Sequence, residues 1–121
     1  MSDPFFDTSI VIDWLKSRSQ ATAELARYKG HRISRIVWSE VLAGEALDTR
    51  DLVRQALANF EIVELDARIA AAAADIRFRS RMKLLDAIIL ATAQVNGAIL
   101  ITRNTKDFPV QMPGIRVPYT L

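Results

Sequence analysis

The sequence predicts an α/β fold built on a parallel sheet. Three observations carry that reading. Strand-like and helix-like segments alternate along the whole chain. Ala98-Ile99-Leu100-Ile101 is a continuous apolar run, the kind found in the middle of a parallel sheet whose two faces are both covered. The segment at about residues 84–96 is a helix apolar on most sides, which calls for layers around it. The 121 residues fit one domain covering positions 1–121, with no repeat, linker or low-complexity tract.

Each element has a local cause. Phe5-Phe6 is a short apolar run ending at Asp7, so a strand is expected at about 4–7. Asp7-Thr8-Ser9 supplies cap-type residues, and Ile10, Val11, Trp14 and Leu15 follow at helical spacing, so a helix is expected over about 9–18. Ala21 to Lys29 reads as a second helix stopped by Gly30. Ile33 to Val37 is β-branched and short, hence a strand, after which Ser39 is expected to cap a helix holding Glu40, Val41, Leu42 and Ala46. Another helix covers about 49–59. Phe60 to Leu65 alternates apolar and polar, a strand pattern, and Asp66 caps a long Ala-rich helix to about Arg81. Asn96-Gly97 ends the apolar helix, and residues 115–117 form a last edge strand before Pro118.

Composition bounds the chemistry. Half of the residues are hydrophobic and a quarter charged, which excludes a disordered chain. There is no cysteine and a single histidine, so disulfides, thiolate sites and a His-rich zinc site are excluded. Any metal must be held by oxygen, which points to Mg²⁺ or Mn²⁺. The 16 basic and 14 acidic residues leave a charge of +2, compatible with a nucleic-acid partner. No apolar run reaches the length of a membrane span, and Met1-Ser2-Asp3-Pro4 lacks a basic n-region, so the expected location is cytoplasmic, with no membrane partner.

Ligands of such sheets bind outside the carboxyl ends of the strands. Asp7 falls at the end of the first strand, Glu40 just after the second, Asp86 at the start of the apolar helix, and Asp107 just past the 98–102 strand with Asn104 between. Asp7, Glu40 and Asp86 each stand among apolar neighbours, where a carboxylate is costly and several together repel one another. A divalent cation relieves both problems, and the chemistry implied is metal-assisted hydrolysis of a phosphate ester. Each acid also has a plainer reading. Asp7 can cap the first helix, Glu40 and Asp86 can complement helix dipoles, and Asp107 can be a turn residue. The functional reading requires residues 7, 40 and 86 to converge.

The strings "FDTSIVIDWL" at 6–15, "SEVLAG" at 39–44, "LLDAIILATA" at 84–93 and "ILITRNTKDF" at 99–108 together resemble the PIN-domain ribonucleases, in particular the VapC-type toxins of bacterial toxin–antitoxin pairs. The resemblance spans nearly the whole chain. It implies a three-layer α/β/α sandwich with a central, mainly parallel sheet of four to five strands. It implies Mg²⁺- or Mn²⁺-dependent endonucleolytic cleavage of RNA, a VapB-type antitoxin, a homodimer and larger toxin–antitoxin assemblies. Asp7, Glu40 and Asp86 match the family's three most regular acids and would hold the ion. Asn104 stands where many relatives carry Asp, so Asp107 is the expected fourth catalytic acid. Thr8, Ser9 and Thr102, with Asn104, are the expected hydroxyl and amide partners of the acids. Helix capping and strand-end bonding account for those hydroxyls equally well.

Arg77, Arg79, Arg81 and Lys83 recur at every second position before Asp86. If the helix breaks near 80–83, Arg81 and Lys83 form a basic rim that Arg103 and Lys106 extend, and such a rim neutralises RNA phosphates. Trp14, Trp38, Tyr28 and Phe78 are expected in the core, and His31 in a surface loop. Val11, Trp14 and Leu15, with Leu52, Val53, Leu57 and Phe60, are apolar faces that read as core before they read as an antitoxin contact. Ser9 stands where a phosphoaspartate phosphatase needs a second Asp, which disfavours that class. A non-cleaving binding module with a degenerate acidic pocket is the alternative, and Asn104 is the feature that favours it.

Overall fold

The computed structural model describes residues 2–121. In chain order the elements are β1 (Phe5–Phe6), α1 (Thr8–Leu15), α2 (Ser19–Ala26), β2 (Arg32–Ser34), α3 (Arg35–Ala43), α4 (Leu47–Leu57), β3 (Glu61–Val63), α5 (Ala67–Ser80), α6 (Leu84–Val95), β4 (Leu100–Ile101) and β5 (Ile115–Arg116). The strands form one sheet in the order β3-β2-β1-β4-β5, and every neighbouring pair is parallel. Helices cover it as an α/β/α sandwich. The chain steps outward from β1 to β3, then α5 and α6, packed on each other, carry it back across to β4. The order therefore reverses between β1 and β4, which makes their carboxyl ends the crevice where such sheets bind ligands.

The core follows from the apolar runs. Phe5, Phe6, Leu100 and Ile101 are buried, and Ile10, Val11, Ile33, Leu57, Ile69, Ile89, Leu90 and Phe108 join them. Phe5 registers with Leu100 and Phe6 with Ile101. The next residues out, Asp7 and Thr102, leave the sheet side by side, and the Asp7 N–H donates to Ile101 O at 2.9 Å.

Several boundaries differ from those the sequence suggests, each for a local reason. The strand expected over 33–37 is cut short because Ser34, not Ser39, caps α3: its hydroxyl accepts from the Val37 N–H at 3.1 Å. A cap outweighs the β-branched run Ile36-Val37 that follows it. Helix α1 ends at Leu15 because Ser17 takes a left-handed conformation at φ 61°. Helix α2 ends at Ala26, ahead of Gly30, whose missing Cβ instead makes room for the Asp3 carboxylate. Asp66 caps α5 as expected, accepting from the Ile69 N–H at 2.9 Å, and Gly97 closes α6 at φ 64°. Residues Ile115–Arg116 form the expected edge strand.

The aromatic expectations divide. Trp14, Trp38 and Tyr28 pack half-buried against the core, with Trp14 edge-to-face on Phe60 at 5.3 Å. Phe78 does the opposite and stands 87% exposed near the end of α5. His31 is no free loop residue. It lies against Phe6 and Phe60 and donates its Nε2–H to Leu25 O at 2.6 Å. Val11, Leu57 and Phe60 are buried core, whereas Leu52 is exposed. No described helix is long and apolar enough to cross a membrane.

The edge strand is pinned electrostatically. Arg116 on β5 forms a two-pronged bond to buried Glu24 on α2, at 2.7 and 3.1 Å, and Tyr28 donates to the same carboxylate at 3.1 Å. Burial raises the Glu24 pKa, but the Arg116 and Tyr28 hydrogen bonds and the Arg116 and Arg27 charges outweigh it and hold it below the ordinary range. Breaking a buried pair from one side strands a charge and costs about 3–5 kcal/mol, less where one partner is partly exposed as Arg116 is. Arg116→Met is expected to cost about 2–4 kcal/mol in urea unfolding at pH 7. The double variant Glu24→Met/Arg116→Met should recover most of that loss, and equal losses in the two proteins would contradict the stranded-charge account.

Candidate functional site

Asp7 occupies the N-cap position of α1, yet its side chain makes no capping bond. Its Oδ2 accepts instead from the Ser9 hydroxyl at 2.9 Å and the Thr102 hydroxyl at 2.8 Å. The carboxylate therefore bridges the Ser9 side chain of α1 and the Thr102 side chain at the carboxyl end of β4, although the residue is only 4% exposed. The capping account of Asp7 fails on this geometry.

Glu40 lies on α3, whose cap is Ser34, so it falls beyond the first turn. A helix dipole acts within the first turn, which removes the plainer account of this acid too. Its Oε1 accepts from the Thr8 hydroxyl at 2.6 Å. Thr8 and Ser9 thus divide their work, one on Glu40 and the other on Asp7. Two adjacent residues at the start of α1 orient acids from two different elements.

Asp86 does sit in the first turn of α6. The helix end would by itself favour its charged form. Burial acts the other way, and the charges of Asp107, Asp7 and Glu40 add to it against the weaker pull of Lys83, so its pKa is pushed up to about 6. All three other acids of the predicted quartet bear on this one group. Among the described residues no three acidic or histidine side chains are already gathered into a chelating set. The quartet shares a neighbourhood rather than a closed cage, as expected of carboxylates that repel one another.

Asp107 is held by Asn104 through a reciprocal pair. The Asn104 amide donates to Asp107 Oδ2 at 2.9 Å, and the Asp107 N–H donates to Asn104 Oδ1 at 3.3 Å. The Asn104 N–H in turn donates to Thr102 Oγ1 at 3.0 Å. Thr102 spends its one proton on Asp7 and a lone pair on Asn104, so a single buried hydroxyl joins the two ends of the site. Asn104 thus clips Asp107 through both its side chain and its backbone.

Of the four cations expected at the rim, three stand there. Helix α5 breaks at Arg81, which adopts a left-handed φ of 60°. Arg81, Lys83 and Lys106 line, with Asp86 and Asp107, a cavity of about 280 Å³. Arg103 does not belong with them. Its guanidinium bonds Asp13 at 2.5 and 3.0 Å, and the residue does not line that cavity. Arg77 and Arg79 are also committed locally, to Met82 O at 3.0 Å and to Asp75 at 3.5 Å.

Sequence reasoning missed Asp13. It is 1% exposed and takes Arg103, Arg18 at 3.2 Å and the Tyr119 hydroxyl at 2.8 Å. Burial raises its pKa, but the bonds from Arg103 and Tyr119 and the charges of Arg103 and Arg18 outweigh it and leave it lowered. A signal was present: Asp13 stands among Ile12, Trp14 and Leu15, the same costly setting that marked the other acids.

The donor set of the quartet is oxygen throughout and carries excess negative charge, which fits a hard divalent cation. Comparison with known proteins bears on the same residues. The family model of the PIN domain matches residues 5–110. A chain of a toxin–antitoxin complex from Klebsiella pneumoniae is 40% identical, with 98% of this chain and 100% of that one covered and a TM-score of 0.91. FitAcB from Neisseria gonorrhoeae matches at 21% identity and TM-score 0.79, over 97% of this chain and 99% of that one. DNA-bound VapBC from Salmonella typhimurium matches at 20% identity and TM-score 0.79, over 96% of each chain. These last two show the fold alone. No curated protein sequence matches the chain. With the family model spanning both ends of the acidic quartet, and a solved relative matched along nearly its whole length, the chain belongs to the PIN-domain family.

Proposed function

We propose that this chain is a metal-dependent endoribonuclease, the VapC-type toxin of a toxin–antitoxin pair, working in the cytoplasm. The observation that carries the reading is the convergence of charge on Asp86 from Asp107, Asp7 and Glu40. Charge of one sign concentrated at a sheet's switch point costs stability, and a site that binds a dication recovers it. Asp7, Glu40 and Asp86 would hold Mg²⁺ or Mn²⁺. The ion, when bound, supplies an acidified water and polarises a phosphodiester oxygen.

The chain's own residues do the rest. Ser9 and Thr102 fix the face that Asp7 presents, and Thr8 fixes that of Glu40. Asp107, steadied by Asn104 outside the trio, would take a proton from the attacking water. Arg81, Lys83 and Lys106 flank the cavity beside it and would neutralise the RNA backbone. The partners that follow are RNA, a VapB-type antitoxin and a second copy of the chain, in line with the toxin–antitoxin complex that contains the 40% identical relative. The alternative, a non-cleaving binding module, drew its support from Asn104, and that side chain is engaged with Asp107.

Cleavage of a total RNA pool tests the activity. Wild-type protein with Mg²⁺ or Mn²⁺ should cut, and protein with chelator should not. Metal-borne charge stabilisation is worth several kcal/mol, so Asp7→Asn, Glu40→Gln and Asp86→Asn should each lose about 100-fold or more in rate while remaining folded. Metal-independent cleavage, or a fully active Asp7→Asn, would defeat the proposal.

The pH dependence of stability tests the crowding itself. Folded Asp86 holds its proton up to about pH 6, against an ordinary value of 3.8. Between those values the folded chain binds more protons than the unfolded one, so this group's contribution falls as pH rises from about 4 to 6. The full shift corresponds to about 3 kcal/mol, and solvent screening at a part-exposed site reduces it to about 1–3 kcal/mol. Asp86→Asn should therefore match wild type near pH 4 and exceed it in urea unfolding at pH 7. Mn²⁺ at pH 7 should raise the unfolding midpoint of wild type and leave that of Asp86→Asn in place. A wild type indifferent to Mn²⁺ would favour the binding module.

A further inference from the structure

We infer that Asp13, Arg103 and Tyr119 form a latch that sets the position of Asp7, which makes Arg103 a positioning residue rather than an RNA contact. The inference rests on the nuclease reading above for its effect on rate, and on geometry alone for its existence.

The geometry begins with helical spacing. Asp13 follows Ser9 by four residues on α1, so the two lie one above the other on the same helix face. Arg103 directly follows Thr102 at the end of β4. From that place it holds α1 at two levels. Its backbone N–H donates to Ser9 Oγ at 3.3 Å, and its guanidinium reaches down one turn to both oxygens of Asp13. The Ser9 and Thr102 hydroxyls, 3.4 Å apart, both finish on Asp7 Oδ2. The distance between α1 and the end of β4 therefore decides whether both hydroxyls reach the carboxylate, and the Arg103–Asp13 fork fixes that distance.

The latch is built to be stiff. Asp13 is 1% exposed, its fork from Arg103 is two-pronged, and Tyr119 donates to the same Oδ2 that Arg103 Nε grips. With its carboxylate buried, it differs from the Arg54–Asp51 bridge, where both partners face solvent and screening weakens the pair. Tyr119 belongs to the segment after β5, so residues at the very end of the chain brace an acid near its beginning. Asp7 needs that brace because its side chain makes no capping bond to the backbone of α1 and is held by the Ser9 and Thr102 hydroxyls.

Three variants and two measurements decide it: Arg103→Ala, Arg103→Lys and Tyr119→Phe, each compared with wild type in single-stranded RNA cleavage with Mn²⁺ and in amide hydrogen exchange. A residue that orients a ligating group commonly controls about 10–100-fold in activity. Arg103→Ala should lose about that much kcat with KM within about two-fold, and Tyr119→Phe, which removes one hydroxyl, several-fold. Lysine keeps the charge but not the fork, so Arg103→Lys should resemble Arg103→Ala. The Arg103 amide, which rests on Ser9, should exchange several-fold faster in Tyr119→Phe, while the Asp7 amide on Ile101 O keeps its protection.

A raised KM with unchanged kcat, or full activity in Arg103→Lys, would make Arg103 a phosphate contact and overturn the latch. Unchanged Arg103 exchange in Tyr119→Phe overturns it whatever the activities. If wild type cuts no RNA, the nuclease reading fails on its own, and the exchange comparison alone decides whether the latch exists.

Discussion

Mutual repulsion among carboxylates at one end of a parallel sheet is the constraint on which this structure turns. Asp86 feels Asp107, Asp7 and Glu40 together, and a protein gains nothing in stability from such crowding. The fold accommodates it by giving three of the four acids a neutral donor, while Asp86 has only the weaker pull of Lys83 against its neighbours. Ser9 and Thr102 serve Asp7, Thr8 serves Glu40, and Asn104 serves Asp107. Hydroxyls and amides hold a carboxylate in place without cancelling its charge, so the excess negative field persists at this end of the sheet.

Asp13 shows what the fold does with an acid whose charge is not kept free. It is as buried as Asp7 and belongs to the same helical segment, yet it is matched by two arginines and a tyrosine hydroxyl. Its pKa is lowered where that of Asp86 is raised. Burial pushes both upward, so the difference lies in the partners. Guanidinium on one carboxylate and carboxylates around the other separate a fastening from a site. The same contrast sorts the cations. Arg103 and Arg116 pair with Asp13 and Glu24, while Arg81, Lys83 and Lys106 line the cavity that Asp86 and Asp107 share.

What was legible in the sequence follows from how local its cause is. The central strand at 100–101, the buried helix α6, the Asp66 cap and the acids at strand ends are written in short runs of adjacent residues, and they were readable. Ser34 and Ser39 are equally good caps on paper, and only the pairing of Arg32–Ser34 with Glu61–Val63 decides between them. Phe78 looked like core because a phenylalanine in an Ala-rich helix normally faces inward, but the inward stripe of α5 runs through Ile69, Ala73 and Ile76. The Asp13 partner of Arg103 was hidden for a more general reason. Side-chain type declares that it is a cation, and only the fold declares that its anion lies on α1.

The pairing of Arg103 with Asp13 bears on how site residues are carried between relatives. The strings around Asp7, Glu40, Asp86 and Asp107 place acids at strand ends and helix starts, and spacing along the chain is enough to align them. It is not enough to separate a side chain that touches a ligand from one that holds the frame. Arg103 lies within the string at 99–108 together with Lys106, three residues apart, yet one is locked to Asp13 and the other lines the acidic cavity. Asn104 and Asp107 divide in the same way, into a clip and the acid it steadies. Within one short motif, then, the fold gives side chains of like type unlike partners: Arg103 closes on Asp13 and Asn104 on Asp107, while Lys106 and Asp107 line the cavity.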